Sequence, residues 1–384
     1  MIEWAQFYTP DFQSKKLVEF LPISNVQGDV EKVFDIGAGK GDLLAAASHR
    51  WPAAQLYAVD IDKHNILAIR NRFPGVRCLN GDAMHFDLPR KLGIEEGSGD
   101  IAVANPPYGQ FQTGADVQKI LAQVGLDDVV SPKRISRELV FLAQNLRLLK
   151  AGGSLVVIIP EGLASGFYYG DLRAALMQRH GLHHAIELPA KTFSGTEAKT
   201  LALFLSKGQC CQSLTWVAAD GVGTKLTVEQ VRKRLDGNFH NFQLTSDITL
   251  ADLAADVRRG NISFSEGRRL PGAVFHTTEF HKHQSGIVCF GRNKKIIGNQ
   301  LFAEKGDILL ARVGTRCIGK VAWVKSGNAI VTDCVYRIRV PQQWQKQVFE
   351  SLRSATGSAW LNAIAHGTCA QLISKRDLMN FPVS

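Results

Sequence analysis

Length, composition and charge limit the classes of protein to which this sequence can belong. The 384 residues exceed one typical domain and fit two, and no apolar run approaches the ~18 residues of a membrane-spanning helix. The net charge of +10 lies wholly in residues 216–384, which hold 23 Lys and Arg against 13 Asp and Glu, whereas residues 1–215 hold 22 of each. This asymmetry indicates a catalytic module beside a module that binds a polyanion, with solubility or chance as the alternative.

The first ~215 residues alternate apolar runs with helix-like stretches, the pattern of a mostly parallel α/β fold. Strands are predicted at 31–36, 55–59, 76–79, 100–104, 154–159, 182–188 and 200–205. Helices are predicted after the glycine-rich turn that follows the first strand, and at 64–72 and 136–150. We therefore expect a catalytic domain at 1–215, built on a seven-stranded sheet.

The rest of the chain has a different pattern. Residues 216–248 are mixed and polar and are expected to form a linker with a short helix. From residue 249, turn residues interrupt short β-like runs at 286–290, 307–313, 320–324 and 335–340, and helical character returns at 348–364. A smaller, mostly β (α+β) domain is predicted at 249–384.

The cysteines indicate the redox state of the protein, and the N-terminus indicates its location. Seven cysteines occur without a CxxC pair, so we expect reduced thiols and no metal site. The first ten residues lack the basic-then-apolar pattern of a signal peptide. We expect a cytoplasmic protein that does not bind membranes.

A glycine-rich turn follows the first predicted strand, with the sequence Asp35-Ile36-Gly37-Ala38-Gly39-Lys40-Gly41. Glycines allow the backbone to approach a ligand closely. A dinucleotide-binding turn would need a third glycine at position 42, which is Asp42, and an acidic side chain there would repel a pyrophosphate. A phosphate-binding GK[ST] motif is also missing. The spacing instead resembles the cofactor-binding motif of class I methyltransferases, whose ligand is cationic.

Asp60 ends the second predicted strand, where a carboxylate can accept both ribose hydroxyls of a nucleoside, with Ile61 beside it. Taken alone, such an aspartate would be an ordinary solvated loop residue. Its place after the strand next to the glycine turn favours a role in binding the cofactor.

The sequence Asn105-Pro106-Pro107-Tyr108 follows the fourth predicted strand directly. An aromatic amino group is a poor nucleophile because its lone pair is delocalised. Two acceptors that face its N–H bonds stabilise the positive charge that develops during methyl transfer. The Asn105 side-chain oxygen and the Pro106 carbonyl are expected to be these acceptors, on a turn that prolines stiffen. Tyr108 offers a flat face for stacking a base. The alternative for an isolated NPPY is a rigid turn without chemistry.

Together these stretches resemble the gamma-class N6-adenine DNA methyltransferases over residues ~1–207. The resemblance implies S-adenosylmethionine as cofactor, bound by Thr9, Asp35, Gly37, Ala38, Gly39, Asp60, Ile61, Asp82, Ala83 and Asn105. It also implies that the target adenine leaves the duplex and enters the pocket. Phe193 lies where the family has a residue that covers the second face of the base; an ordinary buried aromatic is the alternative.

The C-terminal part resembles a target-recognition domain of type I specificity subunits, through 305–315, 319–322 and 374–383. Those subunits carry two such domains, whereas one is recognisable in this sequence, so we expect a monomer or a homodimer that reads a symmetric site. The resemblance implies double-stranded DNA as partner. The candidate contacts are Arg292, Lys294, Lys295, Arg312, Arg316 and Lys320, each of which alone would be an ordinary solvated charge.

The resemblance therefore implies a site-specific adenine methyltransferase, in a restriction–modification or orphan modification system, with a cognate restriction endonuclease as a candidate partner. Two alternatives stay open. The same motif serves methyltransferases of protein glutamine or RNA, against which the basic C-terminal region argues. A non-catalytic DNA-specificity subunit is the second alternative, against which the intact Asn105 and glycine turn argue.

Overall fold

The structure is a computed structural model that describes residues 9–22, 29–111, 114–189, 192–193, 199–242, 246–291, 300–314, 316–367 and 370–384. It divides into two compact units, Met1–Gly237 and Asn238–Ser384. Among the described residues, no helix is long and apolar enough to cross a membrane.

The first unit is built on a mixed sheet. Its strands are β1 (Lys32–Ile36), β2 (Gln55–Asp60), β3 (Arg77–Asn80), β4 (Gly99–Ala104), β5 (Leu149–Pro160), β6 (His184–Glu187), β7 (Thr200–Ser206), β8 (Ser213–Val217) and β9 (Gly223–Thr227). Within the described residues the order is β3-β2-β1-β4-β5-β7-β6-β8-β9. The strands from β3 to β5 are parallel, and β7 runs antiparallel to both of its neighbours.

Helices cover both faces of this sheet. They are α1 (Asp11–Glu19), α2 (Asp42–Arg50), α3 (Lys63–Arg72), α4 (Leu88–Leu92), α5 (Ala115–Gln123), α6 (Arg137–Leu148), α7 (Glu161–Ser165), α8 (Gly170–His180) and α9 (Val228–Lys233), with 3-10 turns at Pro132–Arg134 and Phe167–Tyr169. Alternate strand residues enter two separate cores: Phe34 and Ile36 pack in one, and Val33 packs in the other. Both faces of the central strands are therefore buried, as their continuous apolar sequences require.

The α/β class is confirmed, but the sheet has nine described strands rather than seven. The additional strands are β8, which pairs parallel to β6, and β9, which pairs antiparallel to β8. They occupy residues assigned from the sequence to the end of the catalytic domain and to the linker. Both strands are short and bury only alternate side chains, so their sequences lack the continuous apolar run of a central strand.

The second unit contains two small sheets. Its strands are β10 (Asp256–Arg259), β11 (Val274–Phe275), β12 (Ile287–Cys289), β13 (Phe302–Glu304), β14 (Ile308–Ala311), β15 (Val321–Ser326), β16 (Asn328–Val331) and β17 (Val335–Arg339). The described strands form the orders β10-β17-β14-β15-β12 and β11-β16-β13. The smaller sheets expected after the catalytic domain are thus confirmed, and the helices beside them make this unit α+β rather than mostly β.

Helices complete the second unit. They are α10 (Gly237–Asn241), which begins at the last residue of the first unit, α11 (Phe264–Gly267), α12 (Gln345–Arg353), α13 (Ala355–Ile364) and α14 (Lys375–Met379), with 3-10 turns at Thr277–His281 and Gln342–Trp344. The helical stretch predicted at 348–364 is two helices, because Ser354 caps the start of α13 by accepting from the Gly357 N–H.

Candidate active site

The glycine turn connects β1 to α2 in a conformation that demands glycine at its first position. Gly37 has φ of 84°, and a Cβ built there would lie 2.9 Å from a ring carbon of Phe141. The N–H groups of Gly37 and Ala38 donate to the Val59 carbonyl of β2, at 2.7 and 3.0 Å. The turn therefore lies close against both α6 and β2, and a side chain at Gly37 would force it open.

Asp60 links the end of β2 to the same turn. Its Oδ2 accepts from the Gly39 N–H at 2.7 Å, and its Oδ1 accepts from the Asp62 N–H at 2.8 Å. Burial raises the pKa of Asp60, while these hydrogen bonds lower it. An ionised carboxylate has about four lone-pair positions, so Asp60 retains acceptor capacity for ligand hydroxyls.

Asp35, at the end of β1, lines a cavity in front of the turn. The cavity has a volume of about 30 Å³, and its other lining residues are Thr9, Gly37, Ala38, Gly39, Lys40, Asp42, Leu43 and Asn105. Burial, followed by the negative charges of Asp60 and Asp42, raises the pKa of Asp35 well above its usual value. Within the described residues, Asp35 Oδ1 is buried without a hydrogen-bond donor. A buried acceptor of this kind favours a cationic or hydrogen-donating ligand in the cavity.

Asn105 stands immediately after β4 and joins the cavity to the proline turn. Its Nδ2 donates to Thr9 Oγ1 at 3.1 Å, and its Oδ1 accepts from the Tyr108 hydroxyl at 3.3 Å. Burial and the nearby charge of Glu138 raise the pKa of Tyr108, which keeps the phenol protonated and able to donate. The sequence predicts a stacking role for Tyr108, whereas here its hydroxyl contacts the oxygen expected to receive the target amino group.

Helix α6 bonds to loops that border the candidate site, a contribution that carries only a weak signal in the sequence. Glu138 Oε2 accepts from the Gly109 N–H at 3.0 Å, one residue beyond the proline turn. Gln144 Nε2 donates to the carbonyls of Ala83 and His85, at 2.8 and 2.9 Å. Glu138 and Gln144 are buried. Four polar side chains of α6 are buried in all, Asn145 and Arg147 being the others. Because polar side chains are rarely buried without a purpose, such residues among the apolar positions of a predicted helix are the local signal of this role.

Ile61, Asp82 and Ala83 follow strands β2 and β3 at the same edge of the sheet. Ile61 is 42% exposed, which leaves apolar surface beside Asp60. Asp82 Oδ1 accepts from the Met84 N–H at 2.8 Å, and Ala83 is buried. Parallel strands end together, so these residues lie at the edge where ligands of open α/β sheets bind.

Phe193 is buried in the core cluster that also contains Leu17 and Phe204, with 3% of its surface exposed. In this conformation its ring is covered by protein, so it presents no face to a base. A stacking role for Phe193, predicted from the resemblance, would require the segment to move.

The predicted DNA contacts divide into three groups. Arg292, Lys294 and Lys295 lie outside the described residues. Arg312 is half-buried: it donates to the Asp333 carbonyl at 3.0 Å and lies 5.3 Å from the centre of the Tyr336 ring, contacts that anchor it within the unit. Arg316 and Lys320 line a cleft of about 630 Å³ in the second unit.

The charged side chains that line the cleft are basic. His281, His283 and Arg353 line it with Arg316 and Lys320, and no Asp or Glu is among its described lining residues. Lys320 Nζ lies 3.1 Å from His281 Nδ1. A groove with several donors and no carboxylate is suited to an anionic ligand.

The sequence matches a protein-family model described as N-6 DNA Methylase over residues 3–243. The chain belongs to this family. It is 24% identical over 201 residues to the type II methyltransferase M.BsuBI of Bacillus subtilis, covering 47% of this chain and 38% of that protein. It is 35% identical over 92 residues to the release factor glutamine methyltransferase of Corynebacterium glutamicum, covering 22% of this chain and 32% of that protein. The matches therefore span about a third of the length of these relatives.

A solved structure extends the likeness in fold beyond the N-6 DNA Methylase region. The type IIG restriction endonuclease BpuSI superposes with a TM-score of 0.53 at 13% identity, covering 97% of this chain and 58% of that chain. At this identity the likeness concerns the fold alone. Family membership implies the use of S-adenosylmethionine, the cofactor of class I methyltransferases.

Proposed function

We propose that this N-6 DNA Methylase family member transfers a methyl group from S-adenosylmethionine to the N6 amino group of adenine in duplex DNA. The observation that carries the proposal is the position of Asn105. Its side chain lines the cavity of the glycine turn and also begins the proline turn, so one residue touches both the cofactor cavity and the expected reacting centre.

The side chains at the cavity suit the chemistry of the proposed cofactor, which supplies an electrophilic methyl group when bound. Asp35 presents a buried oxygen without a donor among the described residues, which suits a cationic amino group. Asp60 retains acceptor capacity for ribose hydroxyls. Thr9, Ile61, Asp82 and Ala83 are proposed to complete the binding site at this edge of the sheet.

The proposed role of the proline turn is to hold and polarise the target amine. The Asn105 amide is oriented by the bond from its Nδ2 to Thr9, which leaves Oδ1 facing Tyr108. An incoming amino group replaces the Tyr108 hydroxyl as donor to Oδ1, and its second N–H bonds to the Pro106 carbonyl. Tyr108 is then released to stack on the base. The extra proton leaves the nitrogen after attack, so no general base is required beforehand.

The basic second unit supports DNA as the substrate. Its cleft supplies Arg316 and Lys320 for phosphate contacts. We propose a restriction–modification or orphan modification setting, with a monomer or homodimer acting on the site and a restriction endonuclease as a candidate partner. The base and DNA contacts predicted from the resemblance but not supported by the described geometry stay predictions: Phe193, Arg292, Lys294, Lys295 and Arg312.

A second candidate substrate is protein glutamine, because one relative is named a glutamine methyltransferase. Both substrates offer a planar NH2 group to the same two acceptors. The match to that relative covers only 22% of this chain. The excess positive charge of the chain lies in residues 216–384. A polyanionic substrate accounts for that charge, whereas a glutamine side chain does not.

Expression in a host that lacks DNA methylation tests the proposal. Genome-wide mapping of modified bases should reveal N6-methyladenine in one short sequence motif, and the Asn105→Ala variant should abolish it because the first acceptor is removed. The Lys346→Ala variant, a surface change outside the proposed site, serves as control. Methyl groups found only on cytosine, RNA or protein would overturn the assignment.

A further inference from the structure

Two aromatic side chains of the first unit project into solvent next to each other. Phe167 and Tyr168 are 64% and 62% exposed, and their ring centres lie 5.4 Å apart in an edge-to-face arrangement. They belong to the 3-10 turn between α7 and α8. Single exposed apolar residues are ordinary, but an adjacent aromatic pair is apolar surface that gains from being covered.

A cation lies against this pair, and a second cation precedes it in the chain. Arg134 Cζ is 3.9 Å from the centre of the Tyr168 ring, and Lys133 comes just before Arg134 in the exposed 3-10 turn Pro132–Arg134. In the parts of the chain that the structure describes, neither cation forms an ion pair. We call Phe167, Tyr168, Lys133 and Arg134 the aromatic patch. Stacking rings combined with uncompensated positive charge are suited to nucleic acid.

The aromatic patch is tied to the loop that follows the proline turn. The Tyr169 hydroxyl donates to the Arg134 carbonyl at 2.9 Å, and Gln110 forms a β-bridge with Ser136. The Arg137 N–H donates to the Gly109 carbonyl at 2.9 Å. Gly109 and Gln110 come directly after Tyr108. The hydrogen bonds just described therefore fix the aromatic patch relative to the expected reacting centre.

Resting on the proposed function, we propose that the aromatic patch contacts the duplex where the target adenine leaves it. Phe167 and Tyr168 stack against the bases that the extruded adenine uncovers, and Lys133 and Arg134 bind the flanking phosphates. Extrusion of the adenine costs the energy of its base stacking and base pairing. Apolar side chains that insert between bases and replace the lost stacking reduce this cost. A protein partner also favours exposed aromatics, but the net positive charge and the bonds to the proline-turn loop favour DNA.

The test compares two duplexes that carry the mapped recognition motif. In one the target adenine is paired with thymine, and in the other it faces an abasic site, so less energy is needed to extrude it. The double variant Phe167→Ala/Tyr168→Ala should lower kcat/KM about tenfold on the paired duplex, which corresponds to the stacking of one base. On the abasic duplex its activity should approach that of the wild type. Leu67→Ala, 52% exposed on α3, is the control and should behave as wild type on both duplexes.

Several outcomes would overturn the role of the patch. An equal loss on both duplexes indicates damage to folding or to a protein interface, and no loss on either shows that the patch is not used. Binding of the same duplexes, measured by fluorescence anisotropy, is independent of methyl transfer: the double variant should bind the paired duplex more weakly, and equal affinity contradicts the proposal. Failure of the proposed function itself is recognised separately, as wild-type protein that methylates neither duplex.

Discussion

At the scale of single residues, Asp35 carries a cost in stability that its proposed role in cofactor binding would explain. A buried carboxylate without a donor to one oxygen is unfavourable in the ligand-free protein, and its raised pKa expresses that penalty. At a pH above the ordinary pKa of aspartate, the Asp35 side chain is ionised in the unfolded chain but still protonated in the folded protein. Folding therefore becomes less favourable as pH rises from about 4 through the raised value.

The Asp35→Asn variant should separate these two effects. The ligand-free variant should be more stable than wild type near pH 7, with a difference that shrinks as pH falls toward 4, because the neutral amide carries no desolvated charge. Its affinity for S-adenosylmethionine should fall at least about tenfold, since a hydrogen bond to a charged group is lost. Thermal melts across pH and calorimetric titration measure the two quantities. A variant that is less stable near pH 7, with unchanged affinity, would refute this interpretation of Asp35.

At the scale of elements, α6 is the part that assembles the site. Phe141 packs against the glycine turn, Gln144 holds the loop after β3, and Glu138 holds the loop after the proline turn. Three loops from three strands therefore depend on one helix. We expect substitutions of its buried polar residues to affect methyl transfer, although these residues are not expected to contact S-adenosylmethionine or DNA.

Glu138→Ala tests this function of α6. Loss of the acceptor for the Gly109 N–H should loosen the proline turn and lower kcat about tenfold, the effect of one charge-assisted hydrogen bond. The dissociation constant for S-adenosylmethionine should change little, because Glu138 is not among the described residues that line the proposed cofactor cavity. Glu138→Gln retains an acceptor and should recover most of the activity. If alanine and glutamine reduced activity equally, positioning by this bond would be excluded.

Patterns among residues that are close in the sequence predict much of the architecture correctly. Strands β1 to β5, and the edge of the sheet where the glycine and proline turns meet, follow from apolar runs that end at turn residues. The contacts of α6, the bond from Tyr108 to Asn105 and the burial of Phe193 join residues that only the fold brings together. Strands β8 and β9 were missed because they bury only alternate side chains, and the aromatic patch carries no motif.

At the scale of the whole molecule, charge is distributed between two compact units. The surplus of positive residues follows position 215, and the described basic cleft belongs to the second unit. The boundary at Gly237 falls within the residues expected to form a linker, of which the first part is built into the large sheet. A separate polyanion-binding unit remains our proposal for residues 249–384.

The salt dependence of DNA binding tests the proposed role of the cleft. Removal of one side chain that binds a phosphate should reduce the slope of log K against log salt by about one unit. The Arg316→Gln/Lys320→Gln variant should therefore reduce it by about two, with similar weakening on all sequences. Lys346→Gln removes a charge that is 75% exposed and paired with Glu350, and should leave the slope unchanged. Identical slopes for the wild type and the cleft variant would exclude these phosphate interactions.

The central claim is that Asn105 and the proline turn direct a methyl group to adenine N6. The most direct measurement is transfer from labelled S-adenosylmethionine to duplex DNA by the purified protein, with the labelled nucleoside identified by mass spectrometry. We predict N6-methyl-deoxyadenosine from the wild type and none above background from Asn105→Ala. Label found in another nucleoside, or transfer to adenine that survives in Asn105→Ala, would contradict the account.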